Sequence, residues 1–294
     1  MALLLLFTGW QVAATWQLRA YVVAHPSTGG YGIPLRYTRQ AAQRAGASAR
    51  DGEVIVLSRE TKPFLDETPT VFEALLFRVP HRFADPRTAL PFPERERVIY
   101  LEGPVHDAAA AEPQAAARRL MQLPSAEALR DVELEDGTAY HIYLWESEDR
   151  GELLNGMTPL GGGIPFANNV VFAAYEIQPD GPKAADFEVW LAWWLRAGVS
   201  GDADYHFTAQ LLDESGGLFS QGDHAGFPSA YWLPGDLVLS RFALSPPEDP
   251  PDGVYRLRAG MYTYPEIQAV PVVNAEGEPI DDGVTLQEIV LAER

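Results

Sequence analysis

From residue 170 onward, apolar and polar positions alternate in short runs. The densest run is Asp186-Phe-Glu-Val-Trp-Leu-Ala-Trp-Trp-Leu-Arg196, followed by Tyr205–Leu212, Leu237–Leu244 and Val254–Tyr262. Alternation sends successive side chains to opposite faces, and Gly, Pro and Asp separate the runs, as antiparallel strands need. The pattern predicts strands over 170–178, 186–197, 205–213, 218–222, 237–245, 253–263, 269–274 and 286–292. Turn chemistry lies between them at Pro179-Asp-Gly181, Gly201-Asp202, Ser215-Gly-Gly217, Pro250-Pro-Asp-Gly253 and Glu276-Gly277. Two packed sheets of jelly-roll or immunoglobulin-like topology are expected for residues 170–294.

Residues 19–148 follow a different pattern. Ile33–Arg44 has helical spacing through Leu35, Ala41, Ala42 and Ala45, with Pro34 in its first turn. Glu53–Ser58 and Val98–Leu101 are apolar runs of strand length. Pro69–Phe77 predicts a short helix with Thr68 or Thr70 as N-cap, and Asp107–Leu123 an alanine-rich one. Asp131–Leu134 and Ala139–Trp145 flank Asp136-Gly137, a strong hairpin signal. Strands alternating with helices predict a small α/β domain. Between 149 and 169 the pattern lapses into Pro159, Gly161-Gly-Gly163, Pro165 and Asn168-Asn169, the expected linker. The fold class is therefore α+β, two domains, the second an all-β sandwich.

Charge sharpens the division. Residues 1–150 hold 20 acids against 16 bases, and residues 151–294 hold 21 against 6, so −15 of the net −19 lies in the second half. That excludes nucleic acid and anionic membrane surfaces as partners there, since both need basic protein surface. Absent cysteines exclude disulfides and thiolate metal sites. Residues 1–18 are apolar and uncharged, but Thr8, Gln11, Thr15 and Gln17 dilute the run. The segment lacks the basic start and small-residue exit of a cleavable signal. It is expected to be the tail of a transmembrane helix, or else an apolar helix packed on the first domain or an atypical signal anchor.

Candidate chemistry is sparse. Gly29-Gly30 and Gly161-Gly-Gly163 lack the Lys-Ser/Thr of a phosphate loop and the spacing of a dinucleotide fingerprint. The six histidines are scattered without zinc-ligand spacing. Asp202 with Asp204, Asp213 with Glu214, and Asp281 with Asp282 are weak calcium candidates, none in an EF-hand register. No GxSxG elbow occurs, and paired carboxylates for glycoside hydrolysis need burial that a sequence does not display. Trp190, Trp194, Tyr231 and Trp232 are the binding candidates, because exposed rings stack on the C–H faces of sugars. The competing expectation is that these rings belong to the core.

One set of segments points further. Ala20–Tyr37, the strand Glu53–Ser58, Asp66-Glu-Thr-Pro-Thr-Val-Phe72 and Pro80-His-Arg-Phe83 resemble the region after the last transmembrane helix of large bacterial GT-C-type glycosyltransferases. These are the dolichyl-phosphate-mannose–protein mannosyltransferase-like proteins. Phe207–Gly217, Trp232-Leu-Pro-Gly-Asp236 and Gly253–Tyr262 are similar to the β-sandwich that closes many of them. The resemblance implies an extracytoplasmic region at the cell membrane, attached through the N-terminal segment, that positions glycan or acceptor. It carries no catalytic residue over to this chain, because the catalytic acid of such enzymes lies between earlier transmembrane helices. The residues themselves point to no cofactor and to no metal beyond the weak calcium candidates. Arg19, Arg36 and Arg39 would by themselves favour a cytoplasmic side. Two other functions remain open: a stand-alone carbohydrate- or protein-binding surface module, and a soluble hydrolase with its site between the domains.

Overall fold

A computed structural model describes residues 2–24, 33–104, 115–146, 150–179, 187–199, 202–245 and 253–291. The first half runs α1 (Ala2–Ala24), α2 (Leu35–Ala49), β1 (Glu53–Leu57), α3 (Glu67–Leu75), β2 (His81–Ala84), β3 (Ala89–Phe92), β4 (Arg97–Glu102), α4 (Ala115–Leu120), β5 (Ala126–Ala128), β6 (Val132–Glu133) and β7 (Ala139–Glu146). The second half runs β8 (Thr158–Pro165), β9 (Val170–Pro179), β10 (Phe187–Leu195), β11 (Asp204–Leu212), β12 (Leu218–His224), β13 (Leu237–Leu244), β14 (Gly253–Tyr264), β15 (Gln268–Ala269), β16 (Val272–Val273), β17 (Pro279–Asp281) and β18 (Val284–Leu291). The fold is α+β with a β-rich sandwich.

Three sheets stack in layers. The first is mixed, ordered β2-β1-β4-β7-β5, with β1 parallel to both β2 and β4. The inner sheet of the sandwich is antiparallel, β3-β13-β10-β9-β8, and the outer sheet is β12-β11-β14 with β15 and β18 also on β14. One face of the mixed sheet packs on α2 and α3 through Val54, Val56, Ile99 and Leu101 against Ala41, Ala45 and Phe72. The small residues of α2 recur at helical spacing and let it lie close to the strands. A Cβ on Gly52 would run into the Arg97 carbonyl, so the tight passage from α2 into β1 requires glycine there.

The opposite face of the mixed sheet joins the sandwich. Ile55, Tyr100 and Trp145 belong to one continuous core with Trp190 and Trp193 of β10 and Phe207 of β11. Phe92 of β3 lies 5.3 Å from Trp145 and 5.9 Å from Tyr100. Residues 19–148 thus close a core of their own under α2 and α3, and on the other face of the mixed sheet they share one with residues 170–294. The two halves bury a shared apolar layer, and β3 of the first half completes the inner sheet by pairing with β13. Residues 158–165, within the expected linker, form β8 on the edge of the same sheet. An edge strand needs only one row of hydrogen bonds, so its glycines and prolines are tolerated.

The eight expected strands of the second half fall close to β9–β16 and β18, although 269–274 divides into β15 and β16. Helix α3 begins at Glu67, earlier than expected, with Asp66 rather than Thr68 or Thr70 at the cap position. Of the expected helix over 107–123, the structure describes α4, and residues 107–114 lie outside the described residues. From Phe7 to Tyr21, every side chain of α1 except Ala14 is exposed. Among the described residues, no helix is long and apolar enough to cross a membrane.

Candidate functional site

The aromatic candidates separate once the layers are in place. Trp190 is 2% exposed, lies under the Arg119 guanidinium at 5.6 Å, and donates its indole N–H to Glu188. Trp232 is 6% exposed, stacks on Tyr205 and Phe207, and donates to the Phe227 carbonyl at 3.1 Å. Trp194 is half-buried beneath Arg150 at 4.8 Å. The four rings do not share an exposed face. Strand alternation would leave β10 a free face if one side were wet, but the mixed sheet and α4 cover that side. Its aromatic residues therefore pack on both faces.

Tyr231 behaves differently, because it lines a cleft with Asp202 and Asp204. The cleft, about 640 Å³, opens between the Thr61–Phe64 loop of the first half and two sandwich segments, 202–204 and 228–231. The Thr70 hydroxyl donates to the Asp66 carbonyl at 2.6 Å, and the Lys62 amide donates to the Asp66 carboxylate at 3.0 Å. These bonds fasten the first loop to the start of α3. Across the cleft, the Ser229 hydroxyl donates to the Ala203 carbonyl at 2.5 Å and accepts from the Tyr205 amide at 3.3 Å. Tyr231 then ties the walls together, donating its hydroxyl to the Thr61 carbonyl at 3.1 Å. Burial, helped by the charge of Glu73, pushes its phenol up to about 12, so it stays a neutral donor.

Beneath this wall lies a buried ion cluster. Arg82 donates to both carboxylate oxygens of Glu53, at 2.6 and 3.0 Å, to Asp236, and to the Tyr231 carbonyl at 2.7 Å. Asp236 also accepts from the Leu233 amide at 3.1 Å. A single cation thus holds the 227–236 segment to the edge of the mixed sheet. Desolvation opposes the charge on Arg82, but the two carboxylates more than offset it and raise its pKa.

On the cleft surface, Phe64 is 82% exposed and Lys62 lies 3.9 Å from Asp204. Glu73 pairs with His81 at 3.1 Å. A glycosidase needs one carboxyl in a dry pocket, whereas the side chains of Asp204 and Glu73 are 35% and 57% exposed. Among the described residues, no group of three or more His, Asp or Glu is placed to hold a metal ion. The other acidic candidates serve turns and ion pairs. Asp213 accepts from Ser215 and the Gly217 amide, which lowers its pKa, and Asp281 and Asp282 clamp Arg258. One carboxyl that burial pushes up, to about 7, is Glu102 at the end of β4, near Tyr143 and His141.

Lys62, Phe64 and Glu73 escaped the sequence reading. Lys62 and Phe64 sit in or beside a Pro63-Phe64-Leu65 run too short for an element, and Glu73 lies within the expected helix over Pro69–Phe77. No protein-family model matches the chain, and no curated protein matches it. Among solved structures, the crystal structure of the C-terminal domain of wzt is similar over 47% of this chain and 82% of that one. Identity is 13% and the TM-score 0.27.

Proposed function

We propose that this chain is a non-catalytic carbohydrate-binding region whose glycan docks in the cleft between the Thr61–Phe64 loop and the sandwich. The carrying observation is the exposed Phe64 ring and ordered Tyr231 phenol in one cleft with the carboxylates of Glu73, Asp202 and Asp204. A sugar offers an apolar C–H face to an aromatic ring and hydroxyl donors to carboxylates. The volume suits such a ligand, since small-molecule sites span about 300–1,000 Å³. The acidity of the second half disfavours an anionic ligand and leaves a neutral glycan.

The sequence resemblance supports a setting for this binding: an extracytoplasmic accessory region of a membrane glycosyltransferase, holding glycan or acceptor for transfer performed elsewhere. In that setting the exposed Trp10, Trp16 and Tyr21 of α1 meet the membrane interface, where such rings concentrate. Vesicle flotation with and without residues 1–24 tests the contact, and equal flotation would remove it.

The decisive experiment is a glycan array followed by calorimetry on the full chain and on Phe64→Ala. Binding that weakens about tenfold, or about 1.4 kcal/mol, in the variant is expected. Absence of binding to every glycan would end the reading. The purified chain is expected to transfer no sugar from a polyprenyl-phosphate donor, and turnover would return it to the enzymes.

A further inference from the structure

The outer sheet carries a row of fixed polar and aromatic groups that leads away from the cleft. Phe207, Ala209 and Leu211 turn into the core, so β11 turns Asp204, His206, Thr208 and Gln210 to the opposite face, where Thr208 is buried and the other three are half-buried. The register sets Tyr264, Tyr262, Gly260 and Arg258 of β14 beside them, one for one. On the other side β12 adds Asp223 opposite Thr208 and Gln221 opposite Gln210. At ~3.4 Å per residue the row is about 20 Å long, and it starts at Asp204, which also lines the cleft.

Its groups are held in place before any ligand arrives. Gln210 donates to Gln221 at 3.2 Å, and Gln221 donates to Asp223 at 2.7 Å. The hydroxyl of Tyr262 lies 3.4 Å from His206, whose ring stacks on Tyr264 at 5.0 Å and 17°. Tyr264 is 51% exposed. At the centre Gly260 has no side chain, and a groove of about 280 Å³ opens over it, floored by Thr208 and flanked by Gln221, Asp223, Arg258 and Tyr262. Amide, carboxylate and guanidinium planes on rigid strands offer paired donors and acceptors to neighbouring hydroxyls. A nucleic acid would want a basic centre, whereas Asp223 and Asp282 stand here with Arg258, and Ile267 and Ala269 offer an apolar edge that suits the C–H face of a sugar.

We infer that the outer face of β11 and β14 is a second binding site, for a linear uncharged oligosaccharide that lies in the groove over Gly260, crosses the His206–Tyr264 shelf and ends in the cleft. This deepens the carbohydrate reading of the cleft and rests on it. The ligand is then an extended chain rather than a single sugar.

The test is calorimetry of the full chain against linear neutral oligosaccharides, from disaccharide to hexasaccharide, of the glycan class that the array selects. Affinity is expected to rise with length. Gly260→Leu fills the groove, and its Cβ would sit in ordinary contact, 3.4 Å from Thr208 Cγ2 and the Asp282 carbonyl. Gln221→Ala removes a groove hydrogen-bonding group at an exposed position. Each is expected to weaken the longer chains about tenfold or more and leave the disaccharide unchanged, whereas Phe64→Ala weakens every length. Length-independent affinity with both groove variants silent would confine the ligand to the cleft and overturn the track. Failure of all glycans to bind would remove the carbohydrate reading and the track together.

Discussion

The inner and outer sheets of the sandwich use similar residues and end with opposite uses. In the inner sheet, β10 is covered on both sides, by the outer sheet and by the mixed sheet with α4, and its run Phe187–Leu195 is almost wholly buried. In the outer sheet, β11 and β14 alternate between a packed face and a wet one. Aromatic density therefore marks the strand that holds the layers together. The proposed binding chemistry sits on β11, which has no tryptophan, and on the loops beside it. A strand offers a ligand only the face that no other layer has claimed.

The largest effects should come from breaking the cover. Trp193 lies between Phe172 and Phe207, with ring centroids 4.5 and 4.7 Å away, and donates to Ser240 at 2.7 Å. Trp193→Ala is expected to cost about 3–5 kcal/mol in denaturant unfolding, the usual range for a fully buried aromatic. Arg82→Met leaves Glu53 and Asp236 buried without their cation, again about 3–5 kcal/mol. The two differ in what else they change. Because Arg82 also holds the Tyr231 carbonyl, its loss should loosen the cleft wall and weaken glycan binding, while a surviving Trp193→Phe should leave binding intact. Equal glycan affinity in Arg82→Met and the parent would show that the ion cluster does not position the cleft.

Two titrating groups give a smaller contrast, one in the mixed sheet and one in the outer sheet. Burial pushes Glu102 of the mixed sheet from 4.5 up to about 7, so the folded state holds its proton more tightly than the unfolded chain. Its contribution makes stability fall as pH rises from 4.5 to about 7 and stay flat above. Burial pushes His224, stacked on Phe242 of the inner sheet, from 6.5 down to about 4. Its contribution is fully present above 6.5 and is lost as pH falls towards 4. Each amounts to about 3 kcal/mol, and between 4.5 and 6.5 the slopes oppose. Glu102→Gln should gain stability relative to the parent as pH rises, reaching about 3 kcal/mol above 7. His224→Asn should show its gain relative to the parent on the acid side. Parallel pH profiles for both variants and the parent would mean that neither group titrates as its burial demands.

The same distinction explains what the chain discloses before it folds. Strands such as Val170–Pro179 and Asp204–Leu212 were visible because period-two alternation is local. Among the strands the pattern did not predict, Ala89–Phe92 and Thr158–Pro165 lie on sheet edges and contain proline or a glycine run, which sequence signals assign to loops. Of the candidate residues, Tyr231, Asp202 and Asp204 do meet in one cleft, while Trp190 and Trp232 are core. The difference was illegible because it depends on Arg119, Arg150 and Thr61, distant in sequence, coming to rest on or beside them. Coverage is a tertiary property, and one strand's pattern does not reveal its neighbours.

The smallest expected effect tests whether the outer face is there for folding or for binding. Gln210 is half-buried on β11, and its side-chain amide donates sideways to Gln221 across the strands. Gln210→Ala should therefore change unfolding free energy by no more than about 0.5 kcal/mol, as surface substitutions do. If the face is a glycan track, the same variant should still weaken a hexasaccharide several-fold. A large loss of stability would mean that the Gln210–Gln221–Asp223 network supports the sheet itself. The outer sheet would then resemble the inner one, with both faces committed to structure.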